Sequence, residues 1–169
     1  MLDATNSNLS ADTPDGGGRL PYPWRVLIAT IFGLFLVILD TTVVNVAFRT
    51  LQEEFAAGVN DSQWILSVYV MALGISTPVA GYLADRIGPK WVYAGGLTVF
   101  TTGSLLCGLA PNLWSLIAAR GLQGFGGGLT LPIGTALLFN AFRPEERGKA
   151  LGIFGISLVV APALGPILG

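Results

Sequence analysis

The sequence has no histidine, a single cysteine and few charged residues. Without histidine, the chain lacks the side chain that most often carries protons near neutral pH and that most zinc sites use. The one cysteine, Cys107, lies in an apolar run and is expected to be a small core residue. Charged residues make up 11% of the sequence, against about 25% in soluble domains. Proton transfer inside such a protein would have to use carboxyl groups.

Long apolar runs take the place of the missing charges, and 52% of the residues are hydrophobic. Five runs can each cover the ~30 Å hydrocarbon core of a bilayer, and they span residues 26–48, 63–84, 91–109, 113–142 and 149–169. Residues 1–23 are polar, acidic and rich in Gly and Pro, which predicts a disordered tail rather than a signal peptide. The sequence therefore predicts an all-α integral membrane protein. Its net charge of −1 gives no electrostatic reason to bind nucleic acid.

Lysine and arginine are distributed unevenly between the runs. Of the nine, seven lie before the first run or near residues 85–90 and 143–149, while Arg49 lies on the other side and Arg120 lies within a run. Because cytoplasmic segments of membrane proteins are enriched in these residues, we expect the N-terminus to be cytoplasmic. Segments 49–62 and 110–112 are then expected to face outward.

Two charged residues lie deep within predicted spans, Asp40 in the first and Arg120 in the fourth. A charge at mid-membrane costs at least ~2.5–3.5 kcal/mol, so such residues usually pair or line a water-filled cavity. At the helical rise, Asp40 lies about 12 Å and Arg120 about 10 Å from the same membrane face. The equal depths predict either a static buried ion pair or two stations of a proton relay.

Polar and small residues accompany both charges. Thr41 and Asn45 follow the acid and share a helix face, and Gln123 lies three residues after the arginine. We expect Thr41, Asn45 and Gln123 to line a substrate cavity. Gly124 and Gly128 have the GxxxG spacing that allows close helix contact.

The last run also has a regular spacing of small residues, with Ala161, Gly165 and Gly169 four residues apart. Pro162 and Pro166 each remove a backbone donor and loosen the helix. The stretch is either a packing motif alone or a hinge-like seam where two bundles meet.

The segment "GYLADRIGPK", residues 81–90, separates the second run from the third. Arg86 and Lys90 agree with the enrichment of basic residues in cytoplasmic loops. That rule does not explain the acidic residue Asp85. The segment, which also holds Gly81 and Gly88, is either an ordinary hydrophilic turn or a functional part.

Four motifs stand in order along the chain: "LDTTVVNVA", "GYLADRIGPK", "RGLQGFGGG" and "APALGPILG". Together they resemble the major facilitator superfamily (MFS), and the first and last are similar to the fourteen-helix drug:proton antiporters of that superfamily. The resemblance covers about residues 24–169. Pro89 stands where the loop pattern usually has a basic residue, and Ala161 replaces the first glycine of the fifth-helix pattern.

The resemblance implies a transporter, not an enzyme, with two six-helix lobes, two extra helices and alternating access. This chain would supply the first five helices of the N-terminal lobe, as an N-terminal fragment whose missing C-terminal lobe is its partner. Asp40 and Arg120 would couple efflux to protons, and residues 81–90 would latch the lobes together. The expected substrates are small, lipophilic and cationic. The proton gradient, with no cofactor, would supply the energy.

By the same resemblance, the expected location is the plasma membrane of a bacterium, crossed several times. Two alternatives remain open at this point. One is an MFS uniporter or symporter for a metabolite, and the other is a non-transporting membrane remnant or scaffold. The sequence does not identify a substrate.

Overall fold

The structure is a computed structural model that describes residues 21–55 and 57–168, apart from some side chains after residue 156. These residues form five helices: α1 (Tyr22–Glu54), α2 (Val59–Ile87), α3 (Pro89–Gly108), α4 (Leu113–Ala141) and α5 (Pro144–Leu168). Residues 1–20 of the predicted tail lie outside the described residues. α1 begins at Tyr22, close to the predicted limit of the tail at about residue 23, with a proline at the start of the helix.

α1 and α2 extend beyond the spans predicted from hydropathy. α1 continues to Glu54 instead of ending at Phe48, and α2 begins at Val59 instead of Gln63. Hydropathy marks only the apolar part of a helix, whereas the segment "RTLQEE" after Phe48 has no glycine or proline to end it. The connection between the two helices shrinks from the predicted 49–62 to residues 55–58.

α5 also begins earlier than predicted, at Pro144 rather than at residue 149, because Pro-Glu-Glu suits the first turn of a helix. The limits of α3 and α4 differ less. α3 begins two residues before the predicted residue 91 and ends one residue before the predicted limit of 109. α4 ends one residue before the predicted 142. These last shifts are small because turn residues stand close to the ends of the apolar runs.

Particular residues fix the two turns on either side of α3. Gly88 ends α2 with φ of 88°, a left-handed conformation that glycine adopts without strain, and Pro89 then begins α3. At the other end, the side chain of Asn112 caps α4 by accepting a hydrogen bond from the Ser115 backbone N–H at 2.9 Å. These caps place α3 and α4 side by side as an antiparallel hairpin.

α4 is the central helix of the bundle. α2 and α3 pack along its length, α1 crosses it, and α5 packs mainly against α1. Close approach depends on glycine, since a Cβ atom on Gly103 of α3 would lie 2.7 Å from the Cα atom of Gln123. This contact fixes α3 against α4.

Among the described residues, α1, α2 and α4 are long and apolar enough to cross a membrane. α3 falls outside that group, and several side chains of α5 are not among the described ones. α3 has 20 residues, enough for ~30 Å, but its glycines and threonines lower its hydropathy. Large apolar side chains such as Ile75, Val70 and Leu105 are exposed on the outside of the bundle, as an integral membrane protein requires.

Candidate functional site

Asp40 of α1 and Arg120 of α4 form an ion pair inside the bundle. The Arg120 Nη1 atom donates to Asp40 Oδ2 at 2.7 Å. The arginine side chain is 1% exposed and the aspartate side chain is 18% exposed. The carboxylate is therefore the more exposed member of the pair.

Gln123 closes the pair into a ring of three side chains. Its Oε1 atom accepts a second hydrogen bond from Arg120 Nη1 at 2.6 Å, and its Nε2 atom donates to Asp40 Oδ1 at 2.8 Å. Arg120 and Gln123 are one helical turn apart on α4, which puts both side chains on the face that meets α1. Both oxygens of the carboxylate are engaged, so a change at Asp40 affects both partners.

The aromatic ring of Tyr69, on α2, forms the floor of this charge cluster. The Arg120 guanidinium carbon lies 4.3 Å from the ring centroid, a cation–π contact. The hydroxyl of Thr41 donates to the Val37 carbonyl at 3.0 Å and lies 3.4 Å from the Tyr69 hydroxyl. Three helices thus contribute to holding one guanidinium.

Two N–H groups of the guanidinium are not used by this cluster. The Nε and Nη2 atoms of Arg120 are buried and have no hydrogen-bond partner among the described residues. Buried donors without partners are costly and uncommon. Arg120 therefore can donate to a further oxygen atom, or pair with Asp40 through its other nitrogens if α1 and α4 shift.

Replacing Tyr69 tests its contribution to holding Arg120. Tyr69→Phe keeps the ring and loses only a long hydroxyl contact, so we expect a loss of stability below about 1 kcal/mol. Tyr69→Leu removes the ring face, so we expect a loss of about 2 kcal/mol or more. Unfolding of the purified chain in detergent, followed by tryptophan fluorescence, measures both. Equal losses in the two variants would contradict a role for the ring.

The remaining predicted cavity residues lie in different surroundings. Gln123 is fully buried and contacts the ion pair instead of an open surface. Asn45 is exposed one turn beyond Thr41, towards the end of α1 that carries Glu54. The structure thus brings Thr41 and Gln123 to the charge cluster and leaves Asn45 outside it.

The segment 81–90 lies at the opposite end of the bundle, at the junction of α2 and α3. Gly81, Asp85, Arg86 and Lys90 are exposed. The Arg86 guanidinium carbon lies 4.8 Å from the ring centroid of Tyr82, its neighbour on α2. Asp85 and Arg86 are exposed at this end of the bundle, whereas Lys90 lines a groove together with Arg25 of α1.

For the fifth-helix motif the structure gives only the backbone. Ala161, Gly165 and Pro166 lie in α5, which is helical to Leu168. Gly169 lies outside the described residues. The seam predicted for this motif remains a prediction.

Sequence reasoning missed Tyr69 and Cys107 as neighbours of the charges. The Cys107 Sγ atom lies 3.6 Å from Gln123 Oε1, so the cysteine borders the cluster instead of serving only as a core residue. Both lie in apolar runs, and no charged residue stands within four positions of either. A depth count from the apolar boundary could have identified Tyr69, which lies six residues into the second run.

Comparison with known proteins gives the family of the chain. The model of the Major Facilitator Superfamily matches residues 30–169. The chain is 37% identical to the multidrug resistance protein B homolog of Mycobacterium tuberculosis, with 93% of the chain aligned. It is 37% identical to the multidrug export protein EmrB of Haemophilus influenzae, with 84% aligned. It is 33% identical to the riboflavin transporter RibZ of Clostridioides difficile, with 86% aligned.

The alignments cover 31%, 28% and 32% of these three relatives. The match extends over most of the chain and includes all four of its motifs, among them the residues of the charge cluster. The chain therefore belongs to the Major Facilitator Superfamily.

Proposed function

We propose that this chain acts in proton-coupled efflux of small molecules by alternating access, as part of a transporter of the length of its relatives. Two relatives carry multidrug resistance or multidrug export in their names. The observation that carries the proposal is the buried cluster of Asp40, Arg120 and Gln123 between α1 and α4. Lipophilic cations are the proposed substrates.

The geometry suggests how a proton could drive a conformational change. The carboxylate of Asp40 is partly exposed while its two partners are buried. A proton on Asp40 would remove its negative charge and weaken its contacts with Arg120 and Gln123. The buried guanidinium of Arg120 would then lack an anionic partner, which is costly unless another acceptor takes its place. α1 and α4 would then repack, and the outward or inward opening of the cavity would change with them. Moving one elementary charge across the membrane changes the free energy by ~2.3 kcal/mol per 100 mV of membrane potential.

The proposed orientation places the N-terminus and the segment 81–90 in the cytoplasm, with the plasma membrane as the location. Asp85 lies in the last turn of α2, where its own helix does not stabilise a carboxylate. An exposed acid in this position could pair with a helix N-terminus or with a basic residue on another lobe. We propose that a latch of this kind is formed by Gly81, Asp85, Arg86, Gly88 and Lys90.

We also propose that the last helix belongs to a seam between lobes. The residues concerned are Ala161, Gly165, Pro166 and Gly169.

Transport by the full-length protein tests the proposed coupling. We expect Asp40→Asn and Arg120→Ala to abolish pH-dependent efflux of a lipophilic cation dye from vesicles with an imposed proton gradient. The neutral double variant D40N/R120Q should also be inactive, because it lacks the carboxyl group that binds the proton. The measured quantity is the initial efflux rate with and without the gradient.

Glu53→Gln is the matched control, since it neutralises an exposed acid at the end of the same helix. Its efflux should be close to that of the unmodified protein. Undiminished pH-dependent transport in the Asp40 and Arg120 variants would refute the assignment of these residues.

A second candidate is a metabolite transporter, and the similarity to a riboflavin transporter favours it. The same vesicles distinguish the two by their substrate. Uptake of a flavin without dye efflux would support the second candidate over the first.

A further inference from the structure

Tyr93 of α3 reaches the backbone of α1 inside the bundle. Its hydroxyl donates to the Ala29 carbonyl at 3.0 Å and lies 3.4 Å from the Thr30 carbonyl. Tyr93 and Thr30 are both buried among the described helices. Gly33 makes room for the hydroxyl, because a Cβ atom at this position would collide with it. The proposed proton step does not yet use this contact.

Side-chain hydrogen bonds join α1 to the helices around α4 at two places. Among the described residues, one place is the Tyr93 contact, and the other is the cluster at Asp40 with the neighbouring hydroxyl of Thr41. Asp40 follows Gly33 by seven residues, which is about 10 Å along the helix. A proton on Asp40 weakens the second connection and leaves the first unchanged, because Tyr93 donates to a neutral carbonyl group.

Apolar packing also holds α1 near Tyr93. Leu27 and Leu34 of α1 are buried and lie in one cluster with Leu138 of α4. Both leucines precede Asp40, on the same side of it as the Tyr93 contact. This part of α1 therefore keeps its contacts with the bundle when the ion pair opens.

The turn of α1 beside Tyr93 is suited to bending. The Thr30 hydroxyl bonds to two carbonyl groups of the preceding turn, at 2.9 and 3.0 Å. Side chains that share helix carbonyl oxygens with backbone N–H groups favour bends. Gly33 is the one glycine of α1, and glycine has a low helix propensity. Thr41 and Thr42 also bond to their own helix, but no glycine accompanies them.

We propose that Tyr93 is a positioning residue for the proton step: its hydroxyl anchors α1 at Gly33, and α1 bends there when the ion pair opens. The trigger rests on the proposed function of Asp40, whereas the anchor rests on the contacts of Tyr93 alone. Asp40 lies seven residues and Glu53 twenty residues beyond Gly33, about 10 Å and 30 Å along a straight helix. A displacement at Asp40 is therefore about three times larger at the far end of α1.

Distances between spin labels in the full-length protein, measured by pulsed electron paramagnetic resonance, test the proposal. An inner pair of labels, at Tyr22 and Trp91, joins the starts of α1 and α3, and an outer pair, at Glu53 and Leu109, joins their other ends. All four side chains are exposed. Cys107 is replaced by serine, together with any cysteine elsewhere in the full-length protein, so that labels attach at the chosen positions.

Acidification should change the outer distance by about 4–5 Å, which corresponds to about 1.5 Å at Asp40, and leave the inner distance within about 1 Å. Asp40→Asn should change the outer distance in the same way without acid. Tyr93→Phe keeps the ring and loses the hydroxyl, so α1 should shift as a unit instead of bending. The outer distance should then change by about 1.5 Å only, and the inner distance by the same amount.

Thr98→Val is the matched control, because it removes a hydroxyl of α3 that bonds to its own helix, at the Ala94 carbonyl. It should behave like the unmodified protein. Gly33→Ala is a second way to displace the Tyr93 hydroxyl and should reproduce Tyr93→Phe.

Three results would overturn the proposal: an outer change in Tyr93→Phe as large as in the unmodified protein, a Thr98→Val variant that matches Tyr93→Phe, or equal changes of both pairs in the unmodified protein. Failure of the proposed function gives a different result. Asp40→Asn would then move neither pair, while acid would still move the outer pair about a fixed inner pair. That outcome refutes the trigger at Asp40 and supports the anchor at Tyr93.

Discussion

Gly126→Ala is expected to lower the stability of the bundle by about 3 kcal/mol or more, although it adds only one methyl group. Gly126 lies on α4, where a Cβ atom would meet the backbone nitrogen of Phe100 and lie 2.7 Å from the Gly96 carbonyl oxygen. Both obstacles belong to the backbone of α3, so no side-chain rotation relieves them. Unfolding of the purified chain in detergent, measured by tryptophan fluorescence, gives the loss.

Gly95→Ala is the matched control for this prediction. Gly95 is exposed on α3, and a Cβ atom there would meet nothing within 4 Å. Because alanine favours a helix over glycine by up to ~1 kcal/mol, this variant should be equal to the unmodified chain or more stable. The same chemical change should therefore have opposite effects at the two positions. A loss below about 1 kcal/mol in Gly126→Ala would mean that α3 and α4 separate easily.

The spacing of the glycines in α4 predicts only one of the two helix contacts that they make. Gly124 and Gly128, the predicted GxxxG pair, both face α2, where added Cβ atoms would meet Tyr69 and Leu73. Gly126 faces α3 instead. A run of consecutive glycines serves two neighbours at once, and spacing alone indicates one face. Which helices lie on those faces depends on the tertiary arrangement.

The ion pair between Asp40 and Arg120 could be predicted from the sequence, because the depth of each residue in the membrane was counted from the end of its apolar run. Counted from the ends of the helices, the depths disagree, since α1 continues six residues past Phe48 to Glu54. The membrane fixes where the apolar segment ends, while helix propensity fixes where the helix ends. The hydrophobic boundary was therefore the correct reference for depth.

The partners around that pair could not be anticipated in the same way. Tyr69 contacts Arg120 through the face of its ring, and an aromatic residue in an apolar run usually predicts packing. The two unpartnered nitrogens of Arg120 depend on side-chain geometry, which no sequence pattern encodes.

Asp40→Asn is expected to destabilise the bundle by about 3–5 kcal/mol, because it removes the anion from a buried guanidinium. Arg120 is 1% exposed, and the described residues offer no other carboxylate to it. Asparagine keeps the size of the side chain, so packing is nearly unchanged and the loss reports the charge. Detergent unfolding of the purified chain measures it.

The double variant D40N/R120Q decides between a charge effect and a packing effect. It removes both charges and leaves amides that can bond to each other and to Gln123, so it should recover most of the stability lost in Asp40→Asn. Replacing a buried ion pair by neutral groups is often close to neutral, whereas removing one partner is not. If the double variant is as unstable as Asp40→Asn or less stable, the loss is not electrostatic. If it is stable yet inactive in efflux, the charges of Asp40 and Arg120 serve transport rather than the fold, because the bundle holds without them.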